Sequence, residues 1–175
     1  MIQIKDKRFI PFITEKELLQ RVSELGQQIT ADYKGSTPIV IGIMNGAFMF
    51  LSDLSKHLDL SVEISFMKVS SYASMSSTGK IKSLIGLEKD LLDKDVIIVE
   101  DIVDTGLSMS YILEVIKEKK PNSVQIVSLL LKPDALTKNI SVKYVGFEIP
   151  NKFVVGYGLD YDGYGRNLKE VYQLK

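Results

Sequence analysis

Apolar positions follow two rhythms along this chain. Leu18, Val22, Leu25, Ile29 and Tyr33 recur at three and four residues, the spacing of one helical face. Thr14 stands at the head of that stretch with Glu17 three residues on, the pattern of a capping box. Gly35 reads as its C-terminal cap, and Gly26 inside it costs ~1 kcal/mol relative to Ala. The other rhythm is the short unbroken apolar run. Residues 38–43 (PIVIGI), 95–100 (DVIIVE) and 123–131 (SVQIVSLLL) are of this kind, as expected of strands buried on both faces. Residues 61–69 (SVEISFMKV) alternate as a strand does. Phe48, Leu51, Leu54 and Leu58 predict a second helix, and Met109, Ile112, Leu113 and Ile116 a third that stops before Pro121. Residues 144–147 and 153–156 read as short strands, and the residues before Thr14 as a short extended lead-in.

Strand, helix, strand, helix, strand predicts an α/β protein: a mainly parallel twisted sheet with helices on both faces. No repeat and no Pro- or Gly-rich linker divides the chain, so residues 1–175 read as one domain. Ligands of such sheets bind beyond the carboxyl ends of the strands. The segments after residues 43, 100, 131 and 156 are therefore where chemistry is expected. Residues 70–80 (SSYASMSSTGK) hold five Ser, a Thr and a Gly, too little apolar surface to repay ordering. On composition alone they are an inert hairpin tip.

Composition narrows the chemistry. The 22 basic and 22 acidic residues cancel, leaving no global field for nucleic acid or an anionic membrane. The absence of Cys removes disulfides, thiolate-held metals and thiol nucleophiles, and a single His, His57, removes His-rich metal sites. His57 itself reads as structural. No apolar run approaches a membrane span, and MIQIKDKRF has no apolar signal core. The expectation is a cytoplasmic protein with neither nucleic acid nor membrane as partner.

One segment combines groups that rarely occur together. Glu100, Asp101 and Asp104 fall within five residues at the end of a buried run, followed by Thr105, Gly106, Leu107 and Ser108 at the start of a helix. A helix N-terminus offers free amides to an anion. Acids beside such a cradle make sense if a divalent cation or sugar hydroxyls occupy them, as a phosphorylated sugar with magnesium would. The plainer alternative is an acidic strand end with Asp104 or Thr105 capping the next helix and Glu100 and Asp101 solvated.

The run VIIVEDIVDTG at 96–106 resembles the diphosphosugar-binding signature of the type I phosphoribosyltransferases. Further segments are similar to the hypoxanthine-guanine branch of that family: LLLK at 129–132, VGFEIPNKFVVGYGLDY at 145–161 and GR at 165–166. GIMNGAFMF at 42–50 and SSYASMSSTG at 70–79 fall where that branch has its diphosphate loop and mobile loop. The resemblance implies the type I phosphoribosyltransferase fold with a small hood subdomain. It also implies purine salvage: transfer of a 5-phosphoribosyl group from 5-phosphoribosyl-1-diphosphate to hypoxanthine, and guanine, giving IMP or GMP.

Carried over by residue, the resemblance implies that Glu100 and Asp101 meet the ribose hydroxyls and Mg2+. Asp104 takes or guides the purine N7 proton, and Asp104 to Ser108 hold the 5-phosphate. Lys132 bonds the exocyclic oxygen of the base, Phe153 stacks on it, and the Val154 backbone reads its edge. Asp160 lies at the base site and binds a second Mg2+. Asn45, Gly46, Ser71, Tyr72 and Arg166 hold diphosphate, with 70–80 closing as a lid. Homodimers or homotetramers are implied as well, and a cis peptide in the diphosphate loop. Two positions depart from the pattern: Asn45 stands where a Lys is common, and Lys68 where some relatives have Arg.

Taken without the resemblance, Lys132 reads as a surface residue with a snorkelling stem, Phe153 as core, Asp160 as part of a turn and Arg166 as surface. Two other functions bring the same elements together. An RNA-binding pyrimidine-operon regulator of the same fold would need a basic patch. A flavodoxin-like receiver would have its acids spread along the chain.

Overall fold

The computed structural model describes residues 1–71 and 81–175. Its main sheet has six strands: β3 (Ile39–Met44), β4 (Glu63–Ser71), β5 (Ile81–Ile85), β6 (Asp95–Val103), β7 (Ser123–Leu131) and β8 (Tyr144–Glu148), in the order β5-β4-β3-β6-β7-β8. All neighbours are parallel except β5, which joins the edge antiparallel to β4. Helices α1 (Glu15–Asp32) and α2 (Phe48–Ser55) bury their apolar faces on one side of this sheet, and α3 (Leu107–Glu118) on the other. The expected α/β architecture is present, helices on both faces included.

The local rules hold where the sequence is strongly periodic. Val96 to Val99 are essentially inaccessible to solvent, as a strand covered on both faces must be. Truncating Ile97 or Ile98 to Ala is expected to cost about 2–5 kcal/mol. The Thr14 hydroxyl accepts from the Glu17 amide at 3.3 Å, and Glu17 accepts from the Thr14 amide at 2.9 Å. The helix ends at Tyr33, with Gly35 just beyond it at φ 85°. Gly26 is where His57 crosses the helix: a Cβ would run into the His57 Cβ and carbonyl. Close packing thus explains that glycine and gives His57 its structural role.

Four strands form a second sheet at the end of the first: β1 (Ile2–Ile4), β2 (Lys7–Ile13), β9 (Val154–Val155) and β10 (Val171–Leu174), ordered β1-β2-β10-β9 and antiparallel throughout. The lead-in before Thr14 is therefore a hairpin and not a single extended piece. Residues 153–156 contribute a two-residue strand of this hood, so no parallel strand ends at residue 156. The hood closes on the main core through Val154, Tyr157 and Val171.

Among the described residues, no helix is long and apolar enough to cross a membrane.

Candidate active site

Strand order sets the site. From β3 the chain passes through α2 to β4 on one side, while from β6 it runs through α3 to β7 on the other. The crevice lies where these directions diverge, outside the carboxyl ends of β3 and β6. The two strands are in register with Gly42 opposite Val99, which brings the turn after Met44 beside Asp101. A Cβ on Gly46 would overlap the Asp101 carboxylate, and one on Gly158 would overlap the Gly46 carbonyl. Glycine is needed at both because the diphosphate-loop candidate is sandwiched between β6 and the hood. The Met44–Asn45 bond is cis, as the resemblance implied, and Asn45 is exposed.

β6 does not stop at Glu100. It continues to Val103, so Glu100 and Asp101 are strand residues and not members of a solvated loop. Glu100 is only 8% exposed. Burial pushes its carboxyl well above the usual carboxylate range, and the neighbouring Asp101 charge adds to this. Burial raises Asp101 as well, partly offset by a hydrogen bond from Glu100, by the Ile102 amide at 2.9 Å and by the Arg166 guanidinium. Neither acid forms an ion pair among the described residues.

Two adjacent hard oxygen donors, Glu100 buried and Asp101 partly buried, that are costly to ionise together fit a magnesium ion. Asp160 is a separate group: its carboxylate accepts from the Gly163 amide at 2.7 Å and from Arg166 Nη2 at 2.6 Å. No three acidic or His side chains gather into one metal cage among the described residues.

After Val103 the chain turns through Asp104, Thr105 and Gly106 into α3. Neither Asp104 nor Thr105 is the cap. That position is Gly106, at φ 80°, and no side chain caps the helix. The weak Thr105 Oγ1 contact to the Leu107 amide, at 3.4 Å, is the nearest substitute. The amides of the first turn therefore stay available to an anion. They border a hollow of about 90 Å³ lined by Glu100 and residues 102–109. Thr105 and Ser108 present exposed side chains there. The loop is fixed from behind, with the Thr105 carbonyl accepting both the Thr137 amide and hydroxyl at 3.0 Å.

Lys132 overturns its reading as a snorkelling surface residue. It is 6% exposed, and its ammonium donates to Asp104 Oδ2 at 2.7 Å. Its amide bonds the Val103 carbonyl at 3.0 Å, tying the ends of β6 and β7 together. One of three ammonium donors is used. Phe153 in turn is not core: it is 43% exposed. Its ring meets Tyr161 edge-on at 5.9 Å and Phe9 at 6.3 Å. Val154 is buried in β9, paired with Gln173. Arg166 is partly buried and donates to the Gly158 carbonyl at 2.7 Å, so it is no ordinary surface Arg.

Gly46, Asp101, Arg166 and Asp160 thus come together, with Asn45 and Glu100 their neighbours along the chain, and Asp104, paired with Lys132, shares a hollow with Glu100. Ser71 ends β4, while Tyr72 and the lid expected through residue 80 lie outside the described residues. Reasoning on the sequence missed three supports. Gly158 is detectable only as one of four glycines between 156 and 165. Thr137 has no sequence signal. Tyr157, 2% exposed, donates to Asp53 Oδ2 at 2.7 Å, a tie invisible at a separation of over a hundred residues.

Comparison with known proteins gives a consistent result. Residues 13–162 match the family model described as the phosphoribosyl transferase domain. The chain is 43% identical to the hypoxanthine-guanine phosphoribosyltransferase of Bacillus subtilis, over 93% of this chain and 91% of that protein. It is 44% identical to a bifunctional TilS/HprT protein of Listeria innocua over 93% of this chain, but spans only 25% of that longer protein. The crystal structure of a hypoxanthine phosphoribosyltransferase from Staphylococcus aureus superposes with a TM-score of 0.91 at 43% identity, covering 97% of this chain and 92% of that one.

Proposed function

The chain belongs to the phosphoribosyltransferase domain family, and from that premise we propose that it is a 6-oxopurine salvage enzyme. It transfers the 5-phosphoribosyl group of 5-phosphoribosyl-1-diphosphate to hypoxanthine and guanine, giving IMP or GMP and diphosphate. The observation that carries this reading is the Lys132–Asp104 pair at the carboxyl edge of β6 and β7. A buried ammonium with two donors free is suited to a 6-oxo group, and the adjacent carboxylate to a base proton.

The roles follow from position. The uncapped turn of α3 and the hydroxyls of Thr105 and Ser108 bind the 5-phosphate. Glu100 and Asp101 receive the ribose hydroxyls and would hold Mg2+, with Asp160 a second candidate ligand. A bound magnesium ion would neutralise charge on the leaving diphosphate. Asn45, Gly46 and Arg166 face that diphosphate, Arg166 as its cation; Ser71 and Tyr72 join them on the strength of the resemblance. As the bond from the ribose carbon to diphosphate breaks, positive charge grows on the sugar, and the acidic edge of β6 favours it. The purine N9 closes the new bond, and Asp104 takes or guides the N7 proton. Phe153 stacks on the base and Val154 meets its edge through the backbone. Holding both reactants in one crevice supplies proximity.

Residues 1–175 act as one domain in this reading, because the hood strands from both ends of the sequence cover the site. Assembly into a homodimer or homotetramer rests on the family resemblance, and a cytoplasmic location on the sequence pattern.

The test is product formation from the donor with hypoxanthine, guanine, adenine or uracil, with magnesium and with excess chelator. IMP and GMP are expected only with magnesium, with little AMP and no UMP. Efficient use of adenine or uracil would overturn the substrate assignment, and full activity in chelator the metal assignment.

A further inference from the structure

The N-terminal hairpin reaches the site at one cation. In β2, Lys7 and Phe9 point to the same face, as residues two apart in a strand do. Phe9 is completely buried beneath Phe153 and Tyr161, at 6.3 and 6.2 Å between ring centroids. The Lys7 ammonium lies 4.6 Å from the centre of the Tyr161 ring and 5.5 Å from that of Phe153. Both are within the range of cation–π attraction. Lys7 forms no ion pair among the described residues, so these rings are its principal partners. The hairpin is anchored just before it: Tyr161 donates to Asp6 Oδ1 at 2.8 Å, and Lys5 pairs with Asp162.

We propose that Lys7 is a positioning residue for the purine base. This inference rests on the reading of Phe153 as the stacking surface. Phe153 is almost half exposed, so packing holds its ring on only part of its surface. The ammonium beside two rings that meet edge-on penalises tilts that carry Phe153 away from it, and so fixes the plane offered to the base. The contribution falls on base affinity and not on donor binding, because Lys7 lies against the two hood rings and forms no ion pair with the acids of β6 among the described residues.

The experiment is steady-state kinetics for Lys7→Met, which keeps the stem and removes the charge, with Lys7→Arg and Phe153→Ala alongside. Calorimetric binding of IMP gives a readout independent of turnover. Lys7→Met is expected to raise the KM for hypoxanthine and the Kd for IMP by about 2- to 5-fold, with kcat and donor KM unchanged and Tm lowered by no more than ~4 °C. Lys7→Arg is expected to restore both, since a guanidinium binds aromatic faces at least as well. Unchanged base KM in Lys7→Met, with a raised one in Phe153→Ala, would overturn the role of Lys7 and leave the stacking surface standing. A parallel rise in base and donor KM with lowered Tm would reduce Lys7 to a structural residue. Unchanged base KM in Phe153→Ala would remove the stacking surface and the inference with it.

Discussion

The edge of the main sheet and the hood contribute to one site by different means. Glu100 and Asp101 lie near the end of β6 and Lys132 directly follows β7, two strands joined by a parallel ladder and buried on both faces. Phe153, Asp160 and Arg166 sit around a two-residue strand and a run of turns. Those turns are held by side-chain ties across the whole sequence: Tyr161 to Asp6, Lys5 to Asp162 and Tyr157 to Asp53. In the proposed reaction the sheet edge would supply fixed charge where bonds change, and the hood a surface for the base and the diphosphate. A change at the edge should damage turnover with the fold intact, and a change in a hood tie should act first on stability or affinity.

The largest effect is expected at Asp104. Asp104→Asn keeps the shape and a hydrogen bond to Lys132 but removes the proton acceptor. Groups in such roles contribute ~10²–10⁴-fold, so kcat should fall by that order while Tm moves little, Asp104 being half exposed. Turnover within a few-fold of the parent would take Asp104 out of the chemistry.

A smaller loss is expected where the two regions touch. In Gly46→Ala the new methyl group meets the Asp101 carboxylate, so the loop or the acid must move. A displacement of about 1 Å can cost ~10²-fold, and kcat/KM for the donor should fall accordingly. The KM for hypoxanthine should hardly change, because Lys132 and Phe153 are not displaced. Equal damage to both substrates would mean that the edge and the hood move as one unit.

The smallest effect is expected for Tyr157→Phe, which removes only the bond to Asp53. The loss is about 1 kcal/mol, or ~2–4 °C in Tm for a domain of this size, with kcat/KM changed by no more than a few-fold. A large loss of activity at unchanged Tm would make this tie part of the catalytic machinery.

The same contrast decides how much was legible in the sequence. The strands of the main sheet appear as unbroken apolar runs because burial on both faces leaves no other pattern, and α1 appears through its face and capping box. The hood hairpin, β10 and β5 escape because short antiparallel strands draw their stability from partners far along the chain. Their own residues, such as VYQL, carry little signal. The end of β6 is misplaced for a chemical reason. Two acids inside a strand contradict the apolar pattern, and a local reading expels them into a loop. Lys132 and Phe153 fail the composition rule in opposite senses, one a charge that is buried and the other an aromatic that is not. Such violations concentrate where function requires them, and both residues are among those to which the resemblance to a known family assigns a role.

In the proposed reaction the fixed edge selects a 6-oxopurine, and Lys132 is the group that makes the selection. The measurement is the ratio of kcat/KM for hypoxanthine to that for adenine, in the parent and in Lys132→Ala, with donor KM as control. An ammonium has only donors to offer, so it bonds a 6-oxo group and gains nothing from a 6-amino group. A charge-assisted bond of ~1.5–3 kcal/mol predicts a ratio that falls by about one to two decades in Lys132→Ala, with donor KM nearly unchanged. A ratio that stays the same in the variant, or a parent enzyme that uses adenine as readily as hypoxanthine, would contradict the account.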